Sequence, residues 1–218
     1  MGRSGNAMTT SSNEKPARKT KARKFYVVSL DYRTRSAPGW RMENLELLEG
    51  SRQGLSPPIG QRGFPPYPEP PRLLIDNSLG REPRDFEIYH DYWVVSDRMK
   101  SVLETIDPEA VAFVKCDTLH GDGSAGPAYW LCDVLRVLDA VDEEKSRVKI
   151  ECDPPDHRKR YNLLGGANLF FREDIVVGSI HLFRLRFLLP KIVCDQYLKA
   201  ACKEAGLKGI GFNDAADY

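Results

Sequence analysis

The spacing of apolar side chains along the chain switches between strand-like and helix-like periods, with polar or proline-rich stretches between. Phe25–Leu30 (FYVVSL), rich in β-branched and aromatic residues, opens the pattern as a strand. Asn44–Leu48 is too short to assign from pattern alone, and Leu73 onward is continuously patterned. Met99, Val102, Leu103 and Ile106 fall at i, i+3, i+4 and i+7, one face of a helix that Ser96 or Asp97 caps and Pro108 cannot continue. Ala110–Cys116 and Tyr129–Leu138 read as two strands joined by a hairpin-type loop, His120–Pro127. Arg147–Asp153 alternates, which directs Val148, Ile150 and Cys152 to the core and Lys149, Glu151 and Asp153 to water. Asn168–Phe171 is a further short strand candidate. Ile180–Leu189 alternates as one strand, with His181, Phe183, Leu185, Phe187 and Leu189 on its apolar side and Arg184 and Arg186 outside. A last helix runs from near Asp195 to Ala205, burying Tyr197, Leu198, Ala201, Cys202 and Ala205, with Gly206 as its left-handed stop.

Mostly antiparallel strands with two short amphipathic helices predict an α+β fold, a single domain over residues 25–218. Val95-Ser96-Asp97 and Val193-Cys194-Asp195 each follow an apolar stretch and open a helix. Two related strand-then-helix units would produce this echo, and so would one shared capping solution. A Pro-rich surface segment occupies residues 55–72. Seven of the fifteen residues Pro57–Pro71 are proline, which lacks a backbone donor and disfavours helix before it, so the segment is extended and wraps the surface.

Charge divides the chain. Residues 1–24 hold seven Lys/Arg (Arg3, Lys15, Arg18, Lys19, Lys21, Arg23, Lys24) against Glu14, a net +6, and too few apolar groups to order, so they form a disordered basic arm. Met8 is a candidate native start. The remaining 25 basic and 30 acidic residues give a body of −5, which argues against a strongly basic nucleic-acid-binding surface. No run approaches the ~18 apolar residues of a membrane helix, and the start has no apolar secretory core, so a cytoplasmic location is the expectation. Five cysteines, an odd number without CxxC spacing, are expected as reduced thiols.

Candidate chemistry is sparse. Cys194 precedes a helix, as catalytic cysteines often do, but no histidine is paired with it by a local signature. Cys152-Asp153-Pro154-Pro155-Asp156-His157 gathers possible ligands without the second pair that a zinc site needs, and reads as a turn. The glycines of Leu164–Ala167 and Gly206–Gly211 match neither phosphate-binding pattern, so no cofactor or metal is expected. The acidic turn Asp139, Asp142, Glu143 and Glu144, supported by Asp153 and Asp156, is better suited to meeting a basic protein partner, where complementary charge raises on-rate and specificity. Trp40 and Tyr67 are candidate aromatic anchors.

From Leu74 onward, about two-thirds of the chain, the sequence resembles a bacterial immunity family found beside polymorphic toxins, the eleventh-numbered immunity family, long listed as a domain of unknown function. The residues that carry the likeness are Ile75-Asp76, Leu79-Gly80, Phe86-Glu87, Trp93–Arg98 (WVVSDR) and Gly126–Leu131 (GPAYWL). It continues through Val137–Asp142 (VLDAVD), Leu182–Leu185 (LFRL), Val193-Cys194-Asp195, Ala205-Gly206 and Gly209. The resemblance implies a non-enzymatic protein that binds and neutralises a cognate toxin, often a nuclease, with no catalytic residues carried over. The rival readings are a nucleic-acid-binding regulator acting through the basic tail, a thiol enzyme using Cys194, and a homodimer wrapped by the Pro-rich segment.

Overall fold

The computed structural model describes residue 1 and residues 22–33, 36–49, 55–57, 61–153 and 157–218, the side chain of Asp153 excepted. The chain begins with β1 (Phe25–Leu30), β2 (Trp40–Met42), the short helix α1 (Leu45–Glu49) and β3 (Arg72–Ile75). Next come β4 (Phe86–Tyr89), β5 (Tyr92–Ser96), α2 (Asp97–Ile106), β6 (Val111–Lys115), β7 (Asp117–His120), β8 (Tyr129–Val134) and β9 (Val137–Leu138). It ends with β10 (Lys149–Asp153), β11 (Arg158–Asn162), β12 (Leu182–Leu185), β13 (Leu188–Asp195), α3 (Gln196–Glu204) and β14 (Ile210–Asp214). Two larger sheets, ordered β4-β5-β8-β6 and β14-β1-β13-β12-β9, accompany the smaller sets β2-β3-β7 and β10-β11. The predicted α+β class holds. Most pairings are antiparallel; β3–β7 and β9–β12 are parallel.

The two larger sheets contain one arrangement twice. In each, a hairpin (β4–β5, β12–β13) leads into a helix (α2, α3) and then an outer strand (β6, β14), with a central strand (β8, β1) between hairpin and outer strand. The backbone agrees bond for bond. Leu135 N donates to Ala110 O as Asp31 N donates to Gly209 O, and Asp97 N donates to Ala128 O as Gln196 N donates to Lys24 O. Ser96 N donates to Asp85 O as Asp195 N donates to His181 O. Even the side chains match: Lys100 Nζ lies over the rings of Trp130 and Phe113, and Lys199 Nζ over those of Tyr26 and Phe212. The order differs, because the central strand follows the outer strand in the first unit and stands at the front of the chain in the second.

The echo seen in the sequence is therefore a repeat of structure, displaced by one residue. Helix caps set the alignment: Ser96 accepts from Met99 N, and Asp195 from Tyr197 N and Leu198 N. Ser96 thus corresponds to Asp195, and Cys194 to Val95, both fully buried. The helices pack in a shared core with Phe86, Trp93, Val95, Met99, Leu182, Ile192, Cys194 and Leu198. The opposite face of the first sheet is covered by Leu73, Ile75 and the Pro-rich segment. That of the second sheet is covered by Val141, Tyr161, Leu169 and Val176. Strands sandwiched in this way are apolar on both faces, which is why β5 reads Tyr-Trp-Val-Val without alternation.

Several expectations are corrected. Asn44–Leu48 largely becomes α1. Tyr129–Leu138 is broken at Leu135-Arg136, where the chain passes from the first sheet to the second. Asn168–Phe171 forms isolated bridges only, Arg147–Asn168 and Val141–Phe171. Ile180–Leu189 is a hairpin turning at Arg186-Phe187, so Leu189 is exposed. Arg184, expected outside, is 3% exposed, bonding Asp133 Oδ1 at 3.0 Å and the carbonyl of Val134 at 2.8 Å. Asp133 also accepts from Arg62 and from Gly63 N, which fastens the Pro-rich segment to both sheets. Cys152, expected in the core, is exposed together with Ile150, because β10 and β11 pair only with each other and their outer face is uncovered. Tyr197 is 58% exposed, since Leu198 and Cys202 carry the buried face of α3.

Candidate partner-binding groove

On the outer side of the second unit a groove of about 1270 Å³ opens between the turn after β9, the segment 169–176, residues 22–25 and the end of β14. Its position follows from pairing. Val141 bridges Phe171, Arg172 N donates to Ala140 O at 2.8 Å, and Asp142 N donates to Phe170 O at 2.9 Å. These bonds lay the acidic turn beside a second acidic stretch, Glu173-Asp174, thirty residues later. Ser146 reinforces the join, its Oγ accepting from Phe170 N at 2.9 Å. Beneath lies an apolar floor of Val141, Leu169 and Val176, with Phe25 and Phe171 in edge contact at 4.8 Å. Phe170 stands on the rim, 43% exposed.

The carboxylates differ in how far they are engaged. Asp142 bonds Lys145 Nζ at 2.8 Å and accepts its amide, which holds the carboxyl below its usual range. Glu143 is lowered too, first by Lys159 and then by the Tyr161 hydroxyl, both bonded to Oε1. Asp139 lies 4.0 Å from Arg172, whose guanidinium also donates to the Asp139 carbonyl. Asp214 Oδ1 accepts from Ala216 N. Glu144, Glu173 and Asp174 also line the groove and, among the described residues, have no salt-bridge partner. All three side chains are exposed to solvent, so they are available to a cationic partner at little cost in broken salt bridges.

Arg23 sets the far rim. Its guanidinium bonds the fully buried Asp195 at 2.8 and 3.0 Å and donates to the carbonyls of Val176 and Ile180. His181 Nδ1 is 2.8 Å from the same Asp195 oxygen. Arg23 and Lys24, the last residues of the basic arm, are thus part of the ordered body.

All four residues of the predicted acidic turn line this groove; Trp40 and Tyr67 do not join them. Asp153 ends β10 and Asp156 lies outside the described residues, so neither can be placed at the rim. Trp40 and Tyr67 pack in the third core region, Trp40 on Tyr89 at 5.2 Å and Tyr67 on Phe64 at 6.3 Å. Glu173, Asp174 and Asp214, acidic groups that the sequence offered apart from the turn and outside the chosen set, also line the groove, and Phe170 is the member that sequence reading did not single out. The thiol chemistry fails on burial. Cys194 is fully buried, and desolvation pushes its thiol well above the ordinary range, away from the reactive thiolate. Among the described residues no group of three or more His, Cys, Asp or Glu is arranged to hold a metal, and no helix is long and apolar enough to cross a membrane.

Residues 24–217 match the immunity protein family Imm11, so the likeness extends well ahead of Leu74 and takes in β1. No curated protein matches the chain.

Proposed function

The chain belongs to the Imm11 immunity protein family, and we propose that it neutralises its toxin by occupation, docking the groove beside β9 onto a basic surface of the toxin. The observation that carries this reading is the set Glu144, Glu173 and Asp174, three carboxylates without a salt bridge among the described residues, above an apolar floor and next to the exposed Phe170. Such a rim suits a nuclease-type toxin, whose substrate-binding face must be cationic to hold phosphates. Carboxylates placed there compete with nucleic acid for the same cations, and Phe170 supplies the apolar contact that a charge-only encounter lacks. No covalent step is required of the protein, in keeping with the burial of Cys194.

The test is co-expression with the toxin-like protein encoded beside this chain, scored by survival and co-purification. It is followed by affinity measurement with Glu144→Gln, Glu173→Gln and Asp174→Asn combined. Rescue by wild type, a tenfold to hundredfold weaker complex for the triple variant and a flatter salt dependence are expected, roughly the scale of lost interfacial charge pairs. Unchanged affinity in the triple variant removes the groove from the interface.

A further inference from the structure

Each structural unit places its outer strand at the end of its sheet, β6 in the first and β14 in the second. Asp31 N donates to Gly209 O, and antiparallel pairing alternates from there. Gly211 and Asn213 therefore turn their backbone groups to β1, while Ile210, Phe212 and Asp214 turn theirs outward. Among the described residues no backbone bond meets those outward groups. An open row of donors and acceptors is a template for another strand, and the charges beside it decide which. The two units differ there. Beside β6, Lys100 and Glu104 of α2 neutralise each other at 2.6 Å, and the strand ends on the exposed Lys115. The equivalent positions of the second unit hold Lys199 and Lys203 of α3 and the exposed Asp214. Lys199 and Lys203 border a small depression of about 340 Å³ with Ile210, Gly211 and Phe212. Lys203 and Asp214 form no salt bridge among the described residues. The β14 edge is thus basic at its start and acidic at its end.

We propose that β14 pairs with β14 of a second copy, antiparallel about a two-fold axis at Phe212, which joins the two five-stranded sheets into one. A closed two-fold contact requires a surface that complements itself, and this edge does. The axis sets Ile210 opposite the partner's Asp214, and so brings Lys203, beside Ile210, to that carboxylate on both sides of the axis. All three outward residues of each strand take part, closing about six backbone hydrogen bonds. The first unit's edge fits less well. Two β6 strands would bring Lys115 to an ion pair already satisfied, and β6 on β14 would bring Lys115 to Lys203. Ile210 and Phe212 pack on the helix side of the sheet, so the groove on the opposite side stays open. An axis perpendicular to the sheet leaves the grooves of both copies on one face. The pairing itself does not rest on the groove being the toxin site.

Sedimentation velocity of the full chain, read with amide exchange, tests the pairing. A reversible monomer–dimer equilibrium is expected, weaker at about 1 M salt, where charges are screened beyond about 3 Å, than at about 0.01 M. Exchange at the amides of Ile210, Phe212 and Asp214 should slow as concentration rises. Lys203→Glu alone, or Asp214→Lys alone, sets like charges across the axis twice and should weaken self-association about tenfold or more. Mixing the two variant chains restores opposite charges at both places and should give a mixed dimer. A wild-type chain that stays monomeric at about 0.1 mM overturns the proposal. So does a dimer that leaves those three amides in fast exchange, which would use another surface. Folded variants that neither weaken the dimer nor recover it on mixing overturn it too. Where a variant does not fold, the mass and amide exchange of the wild type still decide. Loss of the dimer leaves the toxin reading standing, because that reading is tested by the affinity of the triple groove variant.

Discussion

The two structural units build the same hairpin, helix and outer strand around the same lysine-over-aromatics contact, yet they fasten their helix caps with exchanged chemistry. In the first, the cap is the hydroxyl of Ser96, which bonds the carboxylate of Asp85, the residue just ahead of β4, at 2.8 Å. In the second, the cap is the carboxylate of Asp195, and the residue just ahead of β12 is His181, 2.8 Å away. Acid and partner have changed sides of one gap. The geometry demands only that the cap and the residue before the hairpin be joined; either order satisfies it. A carboxylate cap has lone pairs to spare, however, and Asp195 uses them to hold Arg23. That bond fixes the wall of the groove, so the carboxylate cap gives the second unit a surface feature that the hydroxyl cap of the first does not build.

Breaking this comparison at the caps should give the largest effect. Asp195→Ala leaves Arg23, His181 and two helix amides without their acceptor, and disrupting a buried charge pair costs about 3–5 kcal/mol. Ser96→Ala should cost only about 1 kcal/mol, as for an ordinary N-cap. Denaturant titration of both variants decides; equal losses would mean the ionic cap adds nothing to the hydroxyl one.

Gly209 and Ala110 offer a second contrast, being equivalent by their bonds to Asp31 and Leu135. Gly209 has φ +95°, and a Cβ there would stand 2.4 Å from the Phe86 carbonyl oxygen. Gly209→Ala should therefore cost about 1–3 kcal/mol, while Ala110→Gly costs about 0.5–1 kcal/mol. A thermally neutral Gly209→Ala would contradict the close approach of this loop to β4. Smaller still, Lys100→Met and Lys199→Met should each lose about 0.5–1 kcal/mol from their ring contacts. If the units are equivalent the two losses are similar, and thermal melts showing one large and one absent loss would end the parallel.

How far this was legible depended on whether local pattern or distant pairing decided the outcome. Both long helices, the Ser96 cap of the first and the Gly206 stop were readable because capping and period are local; the cap of the second helix is Asp195, one residue beyond the Cys194 that the sequence echo aligned with Ser96. The repeat was half readable: matching Val-x-Asp triplets suggested it, but the letters coincide one residue out of step with the caps. The reordering of its central strand was invisible, since β1 lies far from β13 and β14 in sequence. Alternation in Arg147–Asp153 correctly grouped Ile150 with Cys152 yet could not say which face another layer would cover. Arg184 looked external because its partner Asp133 comes from another sheet. The acidic turn was found as a cluster of charge, whereas its junction with Glu173-Asp174 depends on bridges spanning thirty residues. Trp40 and Tyr67 were chosen by residue type alone, and type does not report location.

The smallest predicted effect separates the engaged carboxylates of the groove from the unengaged ones. Glu143 is depressed by Lys159 and Tyr161, and Asp142 by Lys145. A carboxylate whose folded pKa lies below its unfolded value contributes stability above the unfolded pKa, about 4 to 4.5, and loses it as pH falls through the folded value. Wild type should therefore be modestly more stable than Glu143→Gln at neutral pH, with the two melting curves converging as the solution is made more acid than about pH 4. Glu144→Gln, which removes an exposed carboxylate that forms no salt bridge among the described residues, should leave the melting temperature at neutral pH close to that of wild type. A constant offset for Glu143→Gln down to acid pH would show that its bonds to Lys159 and Tyr161 act through packing alone. The turn would then need another source for its fixed shape, with the hydrogen bonds of Ser146 to Phe170 the next to remove.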